Sequence, residues 1–110
     1  MTLQTQLVLQ ALLENPATQR YGLELCELAG LPSGTIYPIL ARLEEHGWLR
    51  SSWEDPAVHE EAGRPRRRFY RITEEGAEWA RLALARVYRA RRQPLPGWAV
   101  AHPLGHGGVS

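Results

Sequence analysis

At 110 residues the chain has room for one domain with a modest core, and its 44% hydrophobic and 23% charged residues are the proportions of an ordinary soluble protein. Its formal net charge is +1, every apolar run is broken by Gln, Glu or Arg before it could span a bilayer, and no basic start with a cleavage site marks a secretion signal, so a cytoplasmic location is expected. A single cysteine, Cys26, excludes an intrachain disulfide and a thiolate metal cluster, and it reads as a small buried apolar residue rather than a redox sensor.

Leu3 to Leu13 is Leu-rich and broken by Gln4, Thr5, Gln6 and Gln10. Leu3, Leu7 and Ala11 share one helical face while Val8, Leu9, Leu12 and Leu13 spread around the rest, so this first helix is expected to be buried on more than one side. Asn15-Pro16 stops it. A second, short helix is expected over Tyr21 to Ala29, closed by Gly30 and the Leu31-Pro32 turn. Ser33 reads as the N-cap of a third helix running to about His46, with Ile36, Ile39, Leu40 and Leu43 as its apolar stripe and Thr35, Pro38, Ala41, Arg42 and Glu45 opposite. Gly47 ends it.

Trp48 to Trp53 and Arg66 to Thr73 read as two strands, joined by a long, polar hairpin loop from Glu54 to Pro65. Thr73 then caps a last helix, with Glu74, Glu75 and Glu78 early and Arg89, Arg91 and Arg92 late, an order that suits the helix dipole. Its stripe is Ala77, Ala80, Leu84, Val87 and Tyr88, with Trp79 and Leu82 outside it. Pro94 and Pro96 stop it, and residues 94–110, rich in Pro, Gly and His, are expected to be poorly ordered. Three helices, a hairpin and one more helix make a mainly α fold with a small β-hairpin. That is the layout of a winged helix-turn-helix, expected over residues 1–73, with a C-terminal helix at 74–93 that is expected to serve dimerisation.

Charge is distributed unevenly. Residues 1–50 hold three Arg against five acids, whereas residues 62–73 hold five Arg and no acid; like charges packed so closely point to a polyanion partner. Ser33, Gly34 and Thr35 open the third helix, whose unpaired amides can meet a phosphate. Pro38, one turn inside, costs up to about 3 kcal/mol and either bends the helix for a reason or merely shapes its start. Tyr37 reads as a base or phosphate contact, or as packing between the second and third helices. Arg42 reads as a two-bond reader of a guanine edge, or as half of a surface ion pair with Glu45 or Glu24. Arg64 and Arg66 are expected on phosphate or in the minor groove, with Arg67 beside them. Against them stand Glu54, Asp55, Glu60 and Glu61 in the same loop. His46, His59, His102 and His106 have no acid or nucleophile at a meaningful spacing, and there is no Gly-rich phosphate loop; no enzyme, metal or cofactor is expected.

The segments Tyr21-Gly22-Leu23-Glu24-Leu25, Leu31-Pro32-Ser33-Gly34-Thr35-Ile36-Tyr37-Pro38-Ile39-Leu40, Arg42-Leu43-Glu44 and Gly47-Trp48-Leu49 resemble the PadR family of transcriptional regulators. So do Trp53-Glu54, Gly63-Arg64-Pro65-Arg66-Arg67-Arg68-Phe69-Tyr70 and Thr73-Glu74-Glu75-Gly76, and the likeness runs from about residue 3 to residue 92. The resemblance implies a winged-helix repressor that dimerises through its terminal helices, reads a two-fold symmetric double-stranded DNA operator and is often released by a small aromatic ligand. On this chain the dimer interface would comprise Leu3, Leu7, Ala80, Leu84, Val87 and Tyr88, and an aromatic effector would meet Trp79 and Tyr88. The rival expectation, motivated by the four loop acids, is a winged-helix protein-interaction module without sequence-specific DNA binding.

Overall fold

The computed structural model describes residues 1–91 and 96–99. Thr2 accepts a hydrogen bond from the Thr5 amide at 3.2 Å through its hydroxyl and so caps α1 (Leu3–Leu13). A two-residue strand β1 (Arg20–Tyr21) leads directly into α2 (Gly22–Ala29), which ends at Gly30 with φ 70°, a left-handed residue that closes the last turn. α3 (Ser33–Glu45) follows after two residues, and Gly47, at φ 78°, turns the chain into β2 (Leu49–Trp53). A short helix α4 (Pro56–Ala62) fills the hairpin loop before β3 (Arg68–Ile72), and α5 (Glu74–Ala90) completes the main body. As expected, Thr73 caps α5, its hydroxyl accepting from the Gly76 amide at 2.9 Å.

The sheet is antiparallel in the order β1-β3-β2, with Leu49 opposite Ile72, Arg50 opposite Arg71, Ser51 opposite Tyr70, Ser52 opposite Phe69 and Trp53 opposite Arg68. The core lies between the helices and the root of this sheet. Val8, Leu9, Leu12 and Leu13 of α1, Leu25 of α2, Ile36, Ile39, Leu40 and Leu43 of α3, Leu49, Tyr70 and Ile72 of the sheet, and Ala77, Ala80 and Leu84 of α5 all bury there. Each fully buried Leu or Ile contributes about 1.5–3 kcal/mol relative to exposure. Gly76 lets α5 lie against the chain at Trp48: a Cβ at residue 76 would sit 2.8 Å from the Trp48 Cα and Cβ.

Several expectations change. Pro32, not Ser33, occupies the N-cap of α3 and makes no side-chain cap bond; Ser33 is the first helical residue. The long hairpin loop contains a helix that was not expected: Asp55 accepts from the Ala57 amide and Pro56 takes the first turn of α4. α5 is part of the same core as the winged helix. Ala80 and Leu84 have no exposed surface at all, so neither is left for a partner. Leu7 is half-buried against the same core, Val87 is half-buried, and Leu3 remains 56% exposed. Tyr88 accepts a hydrogen bond from the Gln10 amide nitrogen at 3.2 Å and meets the Trp98 ring edge-on at 6.0 Å. Within the expected tail, Gly97–Ala99 forms a 3-10 turn, and the Trp98 carbonyl accepts from Arg81 Nε at 3.2 Å. The expected end of the last helix at 92–93 and the expected tail residues 94–95 and 100–110 lie outside the described residues.

Candidate nucleic-acid interface

Burial of Ile36, Ile39, Leu40 and Leu43 fixes how α3 is rotated, and the opposite side is left to solvent. Gly34, Tyr37, Pro38, Ala41, Arg42 and Glu45 are all exposed, and their spacing places them along one face. Ser33 is exposed at the start and Thr35 is half-buried beside it. The Thr35 and Ile36 amides bond the Pro32 carbonyl at 3.0 and 3.1 Å, which leaves the Ser33 and Gly34 amides at the open end of the helix without an acceptor among the described residues. Pro38 has no N–H to give the Gly34 carbonyl, so α3 lacks that one bond of its ladder. The space at Gly34 is open, since a Cβ there would meet nothing within 4 Å.

Tyr37 packs between α2 and α3, as one of its two expected readings has it, and remains partly exposed. Its ring lies so close to Gly22 that a Cβ at residue 22 would fall 2.6 Å from two ring carbons, yet the residue is 41% exposed. Gly22 therefore seats the ring between α2 and α3 while one edge still looks outward. Arg42 is exposed and has no hydrogen-bond or ion-pair partner among the described residues; Glu24, one of its candidate partners, bonds Arg20 instead at 2.6 Å.

The wing arginines divide by role. Arg64 grips Glu54 with two nitrogens, at 2.6 and 2.8 Å, and Glu54 is a buried carboxylate. These hydrogen bonds hold the Glu54 carboxyl below its ordinary range, against the opposing pull of burial. Arg66 donates its Nε to the Glu54 carbonyl at 2.9 Å and lies 5.8 Å from the Trp53 ring centre, and the rest of its guanidinium is exposed. Arg67 is on the other face, 4.0 Å over the Tyr21 ring. Arg68 reaches back to α3, bonding Ser51 at 2.8 Å and Glu44 at 3.3 Å, while Ser51 bonds Glu44 at 2.5 Å. This triad ties the wing to the end of α3 and so sets where the wing stands relative to the exposed α3 face.

Sequence reasoning missed two participants. Trp53 alternates with Leu49 and Ser51 as a core residue would, but the hairpin runs past the end of the core, so Trp53 is 55% exposed between Arg66 and Arg68. Glu54 looked like a surface acid opposing DNA; its neighbour Arg64 was the available sign that it is an internal anchor. Trp79 also has an intramolecular partner, stacking on Trp48 with ring centres 3.7 Å apart, and Trp48 in turn stacks on His46 at 4.7 Å.

An exposed recognition-type helix tied to a basic wing now has a sequence counterpart: residues 8–81 match the model of the transcriptional regulator PadR-like family. The chain belongs to this family. Solved structures agree. The PadR family transcriptional regulator of Eggerthella lenta DSM 2243 is 28% identical with a TM-score of 0.62, covering 79% of this chain and 76% of that one. A PadR family transcription regulator of Clostridium difficile R20291 shares the fold at 22% identity and a TM-score of 0.64, over 83% of this chain and 92% of that one. The PcaV transcriptional regulator of Streptomyces coelicolor, determined in complex with its natural ligand, is 28% identical with a TM-score of 0.62, over 88% of this chain and 64% of that one. No curated protein matches the chain in sequence. Family and neighbours are transcriptional regulators rather than enzymes, and among the described residues no helix is long and apolar enough to cross a membrane.

Proposed function

We propose that this PadR-like regulator is a sequence-specific repressor that binds a two-fold symmetric DNA operator as a homodimer and has no enzymatic activity. The observation that carries this reading is the exposed stripe of α3, with an unpartnered Arg42 at its far end and free amides at its start. A helix presenting that face fits the major groove, where a guanidinium meets a guanine edge with two hydrogen bonds. The Ser33 and Gly34 amides would take a backbone phosphate, Tyr37 would face the groove wall, and Thr35 and Pro38 would shape the close approach.

On the wing, Arg66 is the phosphate or minor-groove contact, flanked by Trp53. Arg64 holds the wing in shape through Glu54 rather than meeting DNA itself, and Arg67, stacked on Tyr21, supplies field rather than contact. Loss of Glu54 and Asp55 to internal bonds also removes two of the four loop acids that argued for a protein-interaction module. For the dimer, the surface left to a partner is Leu3, Leu82 at 60% exposure and the half-buried edges of Leu7, Val87 and Tyr88. The proposal includes release by a small aromatic ligand; that a regulator of this fold takes a small ligand is supported by the Streptomyces structure, determined in complex with its natural ligand. Such a ligand would lie against Tyr88 or extend the Trp48–Trp79 stack. The test is a footprint on the DNA upstream of the protein's own coding region. Two protected half-sites about one helical turn apart are expected; no protection at any protein concentration would contradict the proposal.

A further inference from the structure

The sheet has a second face, turned away from α3 and the core, which the DNA-binding reading does not use. On it Arg50 of β2 stands directly opposite Arg71 of β3. Like charges placed directly across a strand pair weaken it. The usual remedy is a neighbouring carboxylate, but neither side chain has a hydrogen-bond or ion-pair partner among the described residues, whereas Arg20, Arg64 and Arg68 each have one. Both guanidiniums are exposed and border an open depression of about 240 Å3 that Gln19, Ser52 and Phe69 also line. Strand alternation places Ser52 and Phe69 on the same face as the two arginines, and cross-strand pairing sets them opposite each other. Arg67 is on this face too, over Tyr21, and adds to the positive potential.

We propose that Arg50 and Arg71 form a binding site for an oxyanion, a phosphate or carboxylate group. Two guanidinium forks offer the planar, paired N–H donors that such groups accept best. The Ser52 hydroxyl and the Gln19 amide add neutral donors, and Phe69 forms an apolar wall for whatever carries the anion. Occupancy replaces the repulsion between the two arginines with attraction to a shared ligand, so binding stabilises the folded sheet. The site lies on the opposite face from the Trp53 and Arg68 side of the hairpin, separate from the α3 surface. The anion comes either from a free small molecule or from a DNA backbone phosphate flanking the operator.

Inorganic phosphate is the probe, compared with chloride at matched ionic strength in thermal unfolding of the full chain. At ten times the dissociation constant, phosphate should raise the folded-to-unfolded ratio about eleven-fold. Arg50→Gln and Arg71→Gln should each abolish that phosphate-specific gain while unfolding no earlier than wild type in chloride, because each removes the repulsion. Binding to a random duplex at several salt concentrations distinguishes the sources. A DNA phosphate in the site means that either variant flattens the log–log salt slope by roughly 0.9 per subunit, and a free anion leaves the slope unchanged. The proposal is overturned if phosphate stabilises wild type and both variants equally and neither variant alters the slope.

Discussion

Replacing Leu84 by Ala separates two accounts of α5. Leu84 is fully buried within one chain, in the cluster that also contains Ala77 and Ala80 of its own helix and Leu9 and Leu12 of α1. Truncation removes three carbons from a site with no solvent on any side, so the transfer and cavity terms add, and the expected loss is about 2–5 kcal/mol. A loss near 3 kcal/mol corresponds to roughly 12–24 °C in Tm for a domain of this size. That is a large share of the whole stability of a small domain. The assay is urea denaturation followed by tryptophan fluorescence at two protein concentrations tenfold apart. If Leu84 belongs to the core of one chain, the difference in stability between variant and wild type is the same at both concentrations. A variant that keeps wild-type stability but dissociates would place Leu84 in a seam between subunits and refute the reasoning. Leu82→Ala is the companion measurement: at 60% exposure it should change the stability of one chain by no more than about 0.5 kcal/mol, and any larger effect should depend on concentration.

Three further outcomes are expected. Gly76→Ala gains about 1 kcal/mol of helix propensity, but its new methyl meets the backbone and Cβ of Trp48, so a net loss of about 1–2 kcal/mol is expected in chemical denaturation. Because Arg64 holds the Glu54 carboxyl below its unfolded value, the pair's stabilisation is fully present above the ordinary carboxylate range and lost as pH falls through the lowered value. Acid unfolding followed by circular dichroism should show this loss in wild type and a smaller one in Arg64→Ala; identical acid profiles would remove Arg64 from its anchoring role. Gly22→Ala must displace the Tyr37 ring, so it should weaken operator binding more than it lowers Tm, in a gel-shift and melting comparison of the same preparation.

Much of this architecture was legible in the sequence because its signals are local. Thr73 with Glu74 and Glu75 after it, the Ile36–Leu43 stripe, and the glycines at 30 and 47 each specify a helix end or face within a few residues. What was not legible depends on distant partners. β1 is two residues long and exists only because Arg20 and Tyr21 pair with Tyr70 and Phe69. α4 buries no side chain and so has no apolar period to read, although Asp55-Pro56 does mark its start. The stripe of α5 could equally have served a core or a dimer seam, since both demand apolar residues at helical spacing. Only packing against α1 decides that Ala80 and Leu84 are core. The wing arginines show the same limit: four similar side chains, Arg64, Arg66, Arg67 and Arg68, acquire different duties once Glu54, Tyr21, Ser51 and Glu44 are in place.

The central claim is that the exposed α3 face reads bases while the wing holds the backbone. The most direct test measures binding of wild type, Arg42→Ala and Arg66→Ala to operator and random duplexes across a range of salt concentrations. Arg42→Ala should cost about 1–3 kcal/mol on the operator and much less on random DNA. Arg66→Ala should weaken both duplexes alike and flatten the log–log salt slope by roughly 0.9 for each subunit bound. If Arg42→Ala weakens both duplexes equally and Arg66→Ala leaves the slope unchanged, α3 does not read bases, the wing does not hold the backbone, and the account is wrong.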